Sequence, residues 1–132
     1  MNKVPWIHKV LSVSMLLVLL SSIEISHCQA QMHNSTEKAI QLLHALKQNA
    51  VDVADNANLY QWKRINREVD HIAVDAQKLA RLPVSATSPQ SQGLQQTVRD
   101  LRSARLMHNA ERINDAARRL VKLCDALLSD KQ

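Results

Sequence analysis

The 132-residue chain has one glycine, three prolines, no phenylalanine, two tryptophans, one tyrosine and two cysteines. Sheet proteins draw on glycine-bearing turns and on aromatic and β-branched side chains, so this composition excludes a sandwich, a barrel or a Rossmann unit. It likewise leaves no glycine-rich loop to cradle phosphates and no Gly-x-Ser-x-Gly nucleophile elbow. His-Glu-x-x-His is absent too, and the neighbours Asp70 and His71 would point about 100 degrees apart on a helix and so could not work as a pair. Catalysis is therefore not expected. With 22% charged and 45% hydrophobic residues, the chain is neither a disordered tail nor a multi-span membrane protein. What remains is an Ala/Leu/Arg/Gln-rich sequence of one modest helical domain.

The first thirty residues have the layout of a secretory signal. Lys3, His8 and Lys9 make a basic start, and Val10 to Ile23 is apolar apart from serines. Polar residues then lead to Cys28-Gln29-Ala30, with small side chains where an export peptidase would cut after Ala30. The apolar stretch is shorter than the roughly 20 residues that spanning a bilayer requires. An uncleaved anchor and lipidation at Cys28 are the two alternatives. Ile25-Ser26-His27 matches a lipobox in its first two places, but His27 stands where a small residue belongs. Cleavage after Ala30 lowers the formal charge from +5 to +4 and leaves Cys124 as the one thiol, so no internal disulfide could form. The chain is accordingly expected in the periplasm or secreted, touching a membrane only through a retained signal or a lipid on Cys28.

Beyond Gln31 the apolar spacing is helical and the punctuation divides it into four. The predicted helices cover about 35–54, 58–82, 91–107 and 110–129 within a domain of residues 31–132. Asn34, Ser35 or Thr36 would cap the first, whose apolar face is Ile40, Leu43, Leu46, Ala50 and Val53. Asp55-Asn56-Ala57-Asn58 is the expected reversal, since Asp and Asn side chains compete for nearby backbone. The second helix carries Trp62, Ile65, Val69, Ile72, Ala76 and Leu79 in a strict 3-4-3-4-3 spacing, with Glu68 off that seam. Pro83 to Gly93 is the one long connection. The third helix presents Leu94, Val98, Leu101 and Ala104, and a weaker turn at His108-Asn109 separates it from the fourth. That last helix repeats the strict spacing with Ala110, Ile113, Ala117, Leu120, Cys124 and Leu127. Seams of this kind pack as left-handed four-helix bundles, so an all-α, antiparallel up-down-up-down bundle behind a signal helix is expected.

Two features of the domain could carry function. Arg99, Arg102 and Arg105 recur three apart in a C-terminal part whose segment from Leu94 onward has eight basic and five acidic residues. Such a stripe either keeps a face solvated or docks an acidic envelope protein or an anionic surface. Nucleic acid is not expected, because no aromatic residues interleave with the arginines and the chain is exported. His33, His44, His71 and His108 stand on separate segments without i, i+4 partners, so no metal site is expected. The second feature is Cys124, on the inward seam close to the chain's end.

Around Cys124, in RRLVKLCDALL, the chain resembles the cytochrome c-prime and small periplasmic b-type cytochrome family of exported four-helix bundles. Asp55-Asn56-Ala57 is similar to that family's first interhelical turn. Asp75-Ala76-Gln77-Lys78 with Pro83 looks like its second helix end and crossover. The resemblance is diffuse and covers nearly all of residues 31–132. It implies that Cys124 stands at the first cysteine of a Cys-x-x-Cys-His haem-attachment motif. Leu127 then replaces the second cysteine and Leu128 the iron-binding histidine. Met32 lies too early to serve as the family's other axial ligand, where Ile40 and Leu43 stand instead. Leucine donates nothing to iron. The expectation is thus a haem-less relative that works by binding, with a haem- or transition-metal-carrying electron-transfer protein as the alternative.

Overall fold

The computed structural model describes residues 5–83 and 88–130, with side chains from residue 26 onward. Lys3 of the basic start and residues 84–87 of the long connection lie outside the described residues, as do the side chains of Val10 to Ile23. The protein is all-α, with α1 (Pro5–Asn58), α2 (Trp62–Ala80), α3 (Pro89–Leu106) and α4 (Ala110–Ser129). No strand occurs among the described residues. Two compact units divide the chain, residues 1–34 and residues 35–132.

The second unit is a four-helix bundle. Its core combines Leu43, Leu46 and Val53 of α1 with Ile65, Val69 and Ile72 of α2, and Leu94 and Leu101 of α3 with Ile113, Leu120 and Cys124 of α4. Nearly every side chain in it is Ala, Leu, Ile or Val, and Trp62 packs on it only partly buried. Burying such residues contributes roughly 1.5–3 kcal/mol each for the larger aliphatics, which is why four short amphipathic helices hold together.

Polar contacts give the direction of neighbouring helices. Lys47 Nζ meets Asp125 Oδ1 at 2.6 Å, while Asn114 Nδ2 donates to Asn58 Oδ1 at 2.6 Å, so numbers rise along α1 as they fall along α4. Gln95 Nε2 donates to the Ala76 carbonyl at 2.9 Å and Arg105 reaches the Asn66 carbonyl, so α2 and α3 also run oppositely. Arg119 Nη2 meets Asp100 Oδ2 at 3.4 Å across α3 and α4.

Several element ends differ from expectation, each for a local reason. The first reversal is not at Asp55–Asn58. Ala54 and Ala57 are buried and extend the apolar face by another turn, so α1 runs to Asn58 and the chain reverses at Leu59-Tyr60-Gln61. On the α1 face Leu43, Leu46, Ala50 and Val53 are buried as expected, and only at its start does the register differ, with Ala39 fully buried and Ile40 half-buried. α1 passes through Asn34, Ser35 and Thr36 as helix, so none of these caps a helix start here. α3 begins at Pro89, two residues before the expected start at 91. Ser88 is its N-cap, accepting a hydrogen bond from the Ser91 N–H at 3.1 Å, and Pro89 follows at the first helical position, where its missing N–H does no harm. At the α3–α4 turn, Asn109 caps α4 by accepting from the Arg112 N–H at 3.0 Å.

Glu68 is a further correction. It is buried rather than solvated, and Arg67 donates to its Oε1 through Nε at 3.0 Å and Nη2 at 2.8 Å. His71 Nδ1 lies 3.7 Å from its other oxygen. A buried carboxylate persists where a cation satisfies it, and the neighbouring arginine does so here despite adjacent residues diverging on a helix.

Candidate functional site

The α4 seam carries Cys124 into the interior with no exposed surface. Burial pushes its thiol up to about 12; the Asp125 carboxylate adds to the rise and Lys47 opposes it. Such a thiol is neutral at physiological pH and lacks the thiolate that attacks, ligates or oxidises readily. Leu127 is buried and Leu128 half-buried beside it, while Met32 is 62% exposed. Cys28, in contrast, is exposed.

The three arginines occupy the side of α3 that faces α2. Arg99 and Arg102 line an open groove with Asp70, Ala73, Val74, Gln77 and Ala80 of α2 and Gln95 and Val98 of α3. Arg105 is tied across the mouth of the same interhelical seam, its Nη1 bonding Asp70 Oδ1 and the Asn66 carbonyl. It clamps α2 to α3 and is mostly covered, 18% of its side chain being exposed. Arg99 donates to Gln96 Oε1 at 2.6 and 3.2 Å, a contact within its own helix that leaves its charge uncompensated. Arg102 is exposed and has no hydrogen-bond or ion-pair partner among the described residues. The stripe therefore splits into one structural arginine and two available ones over a floor of small apolar side chains.

The basic residues Arg112 and Arg119 of α4 are more self-contained. Arg119 pairs with Asp100, and Arg112 reaches Met107 Sδ at 3.8 Å; both line a shallow groove with Ser103 and Ala104. His33, His44, His71 and His108 are all exposed. Among the described residues no three His, Cys, Asp or Glu side chains gather as a metal-binding group. Nor is any described helix long and apolar enough to cross a membrane.

Sequence reasoning missed the end of the bundle where the turns 59–61 and 107–109 meet. Both helices close with the same pattern. The Gln61 N–H donates to the Asn56 carbonyl and the Asn109 N–H to the Ala104 carbonyl, five residues back, with the intervening residue left-handed. That residue is ordinarily glycine, yet here it is Tyr60 at φ 53° and His108 at φ 50°. The His108 ring lies 5.0 Å from Trp62, tilted by 58°, and joins the two turns. Leu59, Tyr60, Leu106 and Met107 stand out from them, 61–75% exposed. The signal available in the sequence was an apolar pair at each turn, Leu59-Tyr60 and Leu106-Met107, where polar turn residues would be usual.

Comparison with protein-family models, curated proteins and solved structures finds no match to this chain.

Proposed function

We propose that this chain is an exported, non-catalytic four-helix bundle of up-down-up-down topology that works by binding an acidic envelope protein in the groove between α2 and α3. The observation that carries the reading is the pairing of available guanidinium groups, Arg99 and Arg102, with an apolar floor of Ala73, Val74, Ala80 and Val98. That combination suits a helix with carboxylates beside an apolar stripe. Export rests on the basic–apolar–polar layout of residues 1–30. One local feature is compatible with cleavage after Ala30. The Ser35 hydroxyl is buried without a hydrogen-bond partner in the continuous helix, and a chain starting at Gln31 would free it, with Asn34 or Thr36, to cap the new helix start. The topology is supported by the opposite directions of the α1–α4 and α2–α3 contacts.

Within this reading the protein is a haem-less relative of the cytochrome c-prime and b-type bundles. Haem iron takes His, Met, Cys or Tyr, and Leu127 and Leu128 occupy the places that would supply a second thioether and a ligand. The electron-carrier alternative would require Cys124 to act from a site where burial keeps it protonated. A Soret band with stoichiometric iron in the purified protein would establish that alternative and sink the haem-less reading. Docking is tested by retention of envelope proteins on immobilised wild type and on Arg99→Glu/Arg102→Glu. Loss in the double variant, together with weakening of wild-type retention as salt rises from ~0.05 to ~0.5 M, is the expected result. Equal retention at low salt would refute it.

A further inference from the structure

We propose that the end of the bundle built from turns 59–61 and 107–109 is a membrane-contacting tip that dips into an anionic bilayer surface. Six large hydrophobic side chains are conspicuously exposed among the described residues, and four of them, Leu59, Tyr60, Leu106 and Met107, stand at this one end. They come from two turns far apart in sequence, held together by the Trp62–His108 contact. The fold does not demand these residues. A left-handed helix-ending position is filled most easily by glycine or asparagine, so the tyrosine at 60 sits there against backbone preference while its ring faces water. Retained strain that displays an amphipathic ring fits a role outside the fold. Tyrosine is suited to the headgroup level, where its ring meets acyl chain and its hydroxyl meets water.

Charge around the tip selects the lipid. Lys63 and Arg64, in the first turn of α2, are exposed and form no ion pair among the described residues. Arg112 lies against Met107 through its sulfur contact. The acidic residues at this end are Asp55, exposed in the last turn of α1, and Glu111 and Asp115, which line a shallow pocket beside Tyr60 with Asn58 and Asn114. The α1–α4 side is thus the more acidic and the α2 side the more basic. An anionic surface would draw in the α2 edge first and leave the acids toward solvent. A second copy of the chain would need matched shape over roughly 800 Å² per partner. A bilayer requires no matching shape, only apolar tips and flanking cations. The inference is independent of the α2–α3 groove, whose lining shares no residue with the tip.

The test uses the full chain, because a retained N-terminal segment could itself bind vesicles and the readout must be local. In a Cys28→Ser background, a nitroxide is attached at Met107→Cys or, as control, at Ala45→Cys, exposed on α1; buried Cys124 stays unlabelled. On vesicles of equal parts phosphatidylglycerol and phosphatidylcholine, the label at 107 should become accessible to lipid-dissolved oxygen and shielded from a water-soluble relaxing agent. The label at 45 should stay aqueous. Leu59→Ser/Leu106→Ser, checked for unchanged helicity, should lower immersion of the 107 label about tenfold or more. The proposal is overturned if the 107 label stays in water while the chain binds vesicles, if it immerses equally in pure phosphatidylcholine, or if the double serine variant immerses unchanged. Concentration-dependent broadening at 107 without vesicles would assign the tip to a second copy instead.

Discussion

Replacing Tyr60 separately by glycine and by alanine isolates the backbone contribution at the first reversal. Both substitutions delete the same ring, of which about a third is covered (the residue is 68% exposed), so the lost side-chain packing cancels in the comparison. What differs is the Cβ. At φ 53° a Cβ crowds the following carbonyl, which costs roughly 1–2 kcal/mol for an L-residue and nothing for glycine. Glycine's larger entropy in the unfolded chain returns about 0.5–1 kcal/mol in alanine's favour. Tyr60→Gly is therefore expected to be more stable than Tyr60→Ala by roughly 0.8 kcal/mol, the middle of a range of about 0–1.5 kcal/mol. For a domain of this size that corresponds to a melting difference of roughly 2–8 °C. Thermal and urea unfolding followed by far-ultraviolet circular dichroism would measure it. The sign is decisive, because inside a regular helix alanine exceeds glycine by about 1 kcal/mol. If Tyr60→Ala melts at or above Tyr60→Gly, residue 60 is not left-handed and the strain argument for the tip loses its ground.

Three further outcomes follow from the interior. Gly93 lies within α3, and a Cβ there would meet the Leu123 side chain at an ordinary 3.6 Å, so Gly93→Ala should raise stability by about 0.5–1 kcal/mol in the same melts. Thiol-reactive reagent near neutral pH should modify Cys28 and spare Cys124 in the folded protein. Because the Cys124 thiol is raised from 9.0 to about 12 by burial, the folded state holds its proton more tightly than the unfolded state between those values. Its contribution is full below pH 9 and declines toward pH 12, by up to about 1.4 kcal/mol per pH unit. Denaturant titrations of wild type and Cys124→Ala across that window should show the steeper fall in wild type, and parallel curves would contradict the burial argument.

The seams of α2 and α4 were legible from spacing alone, because Ile65, Val69, Ile72, Ile113, Leu120 and Leu127 leave one register in which large side chains point inward. α1 was harder. Its alanines carry little register information, so Ala39 and Ile40 were interchangeable on spacing, and only close packing against neighbouring helices chooses the smaller residue. The turn at Leu59-Tyr60 is not legible because Asp55, Asn56 and Asn58 carry the stronger turn chemistry, whereas the burial of Ala54 and Ala57 outweighs those residues' preference for turns. Glu68 was invisible as a buried group, since its burial depends on Arg67 folding back over it. At the candidate sites, spacing placed three arginines on a common stripe. It does not distinguish Arg105, committed to Asp70 and Asn66 on α2, from Arg99 and Arg102, which remain available, because that division depends on which α2 groups each guanidinium meets once the helices are packed.

The most direct test of an exported, haem-less bundle is the intact mass of the protein recovered from outside the cytoplasm of cells that express it from its own start codon. The account predicts a polypeptide of residues 31–132 with nothing attached. A mass that includes Met1, an acylated Cys28, or a haem joined through Cys124 would contradict it.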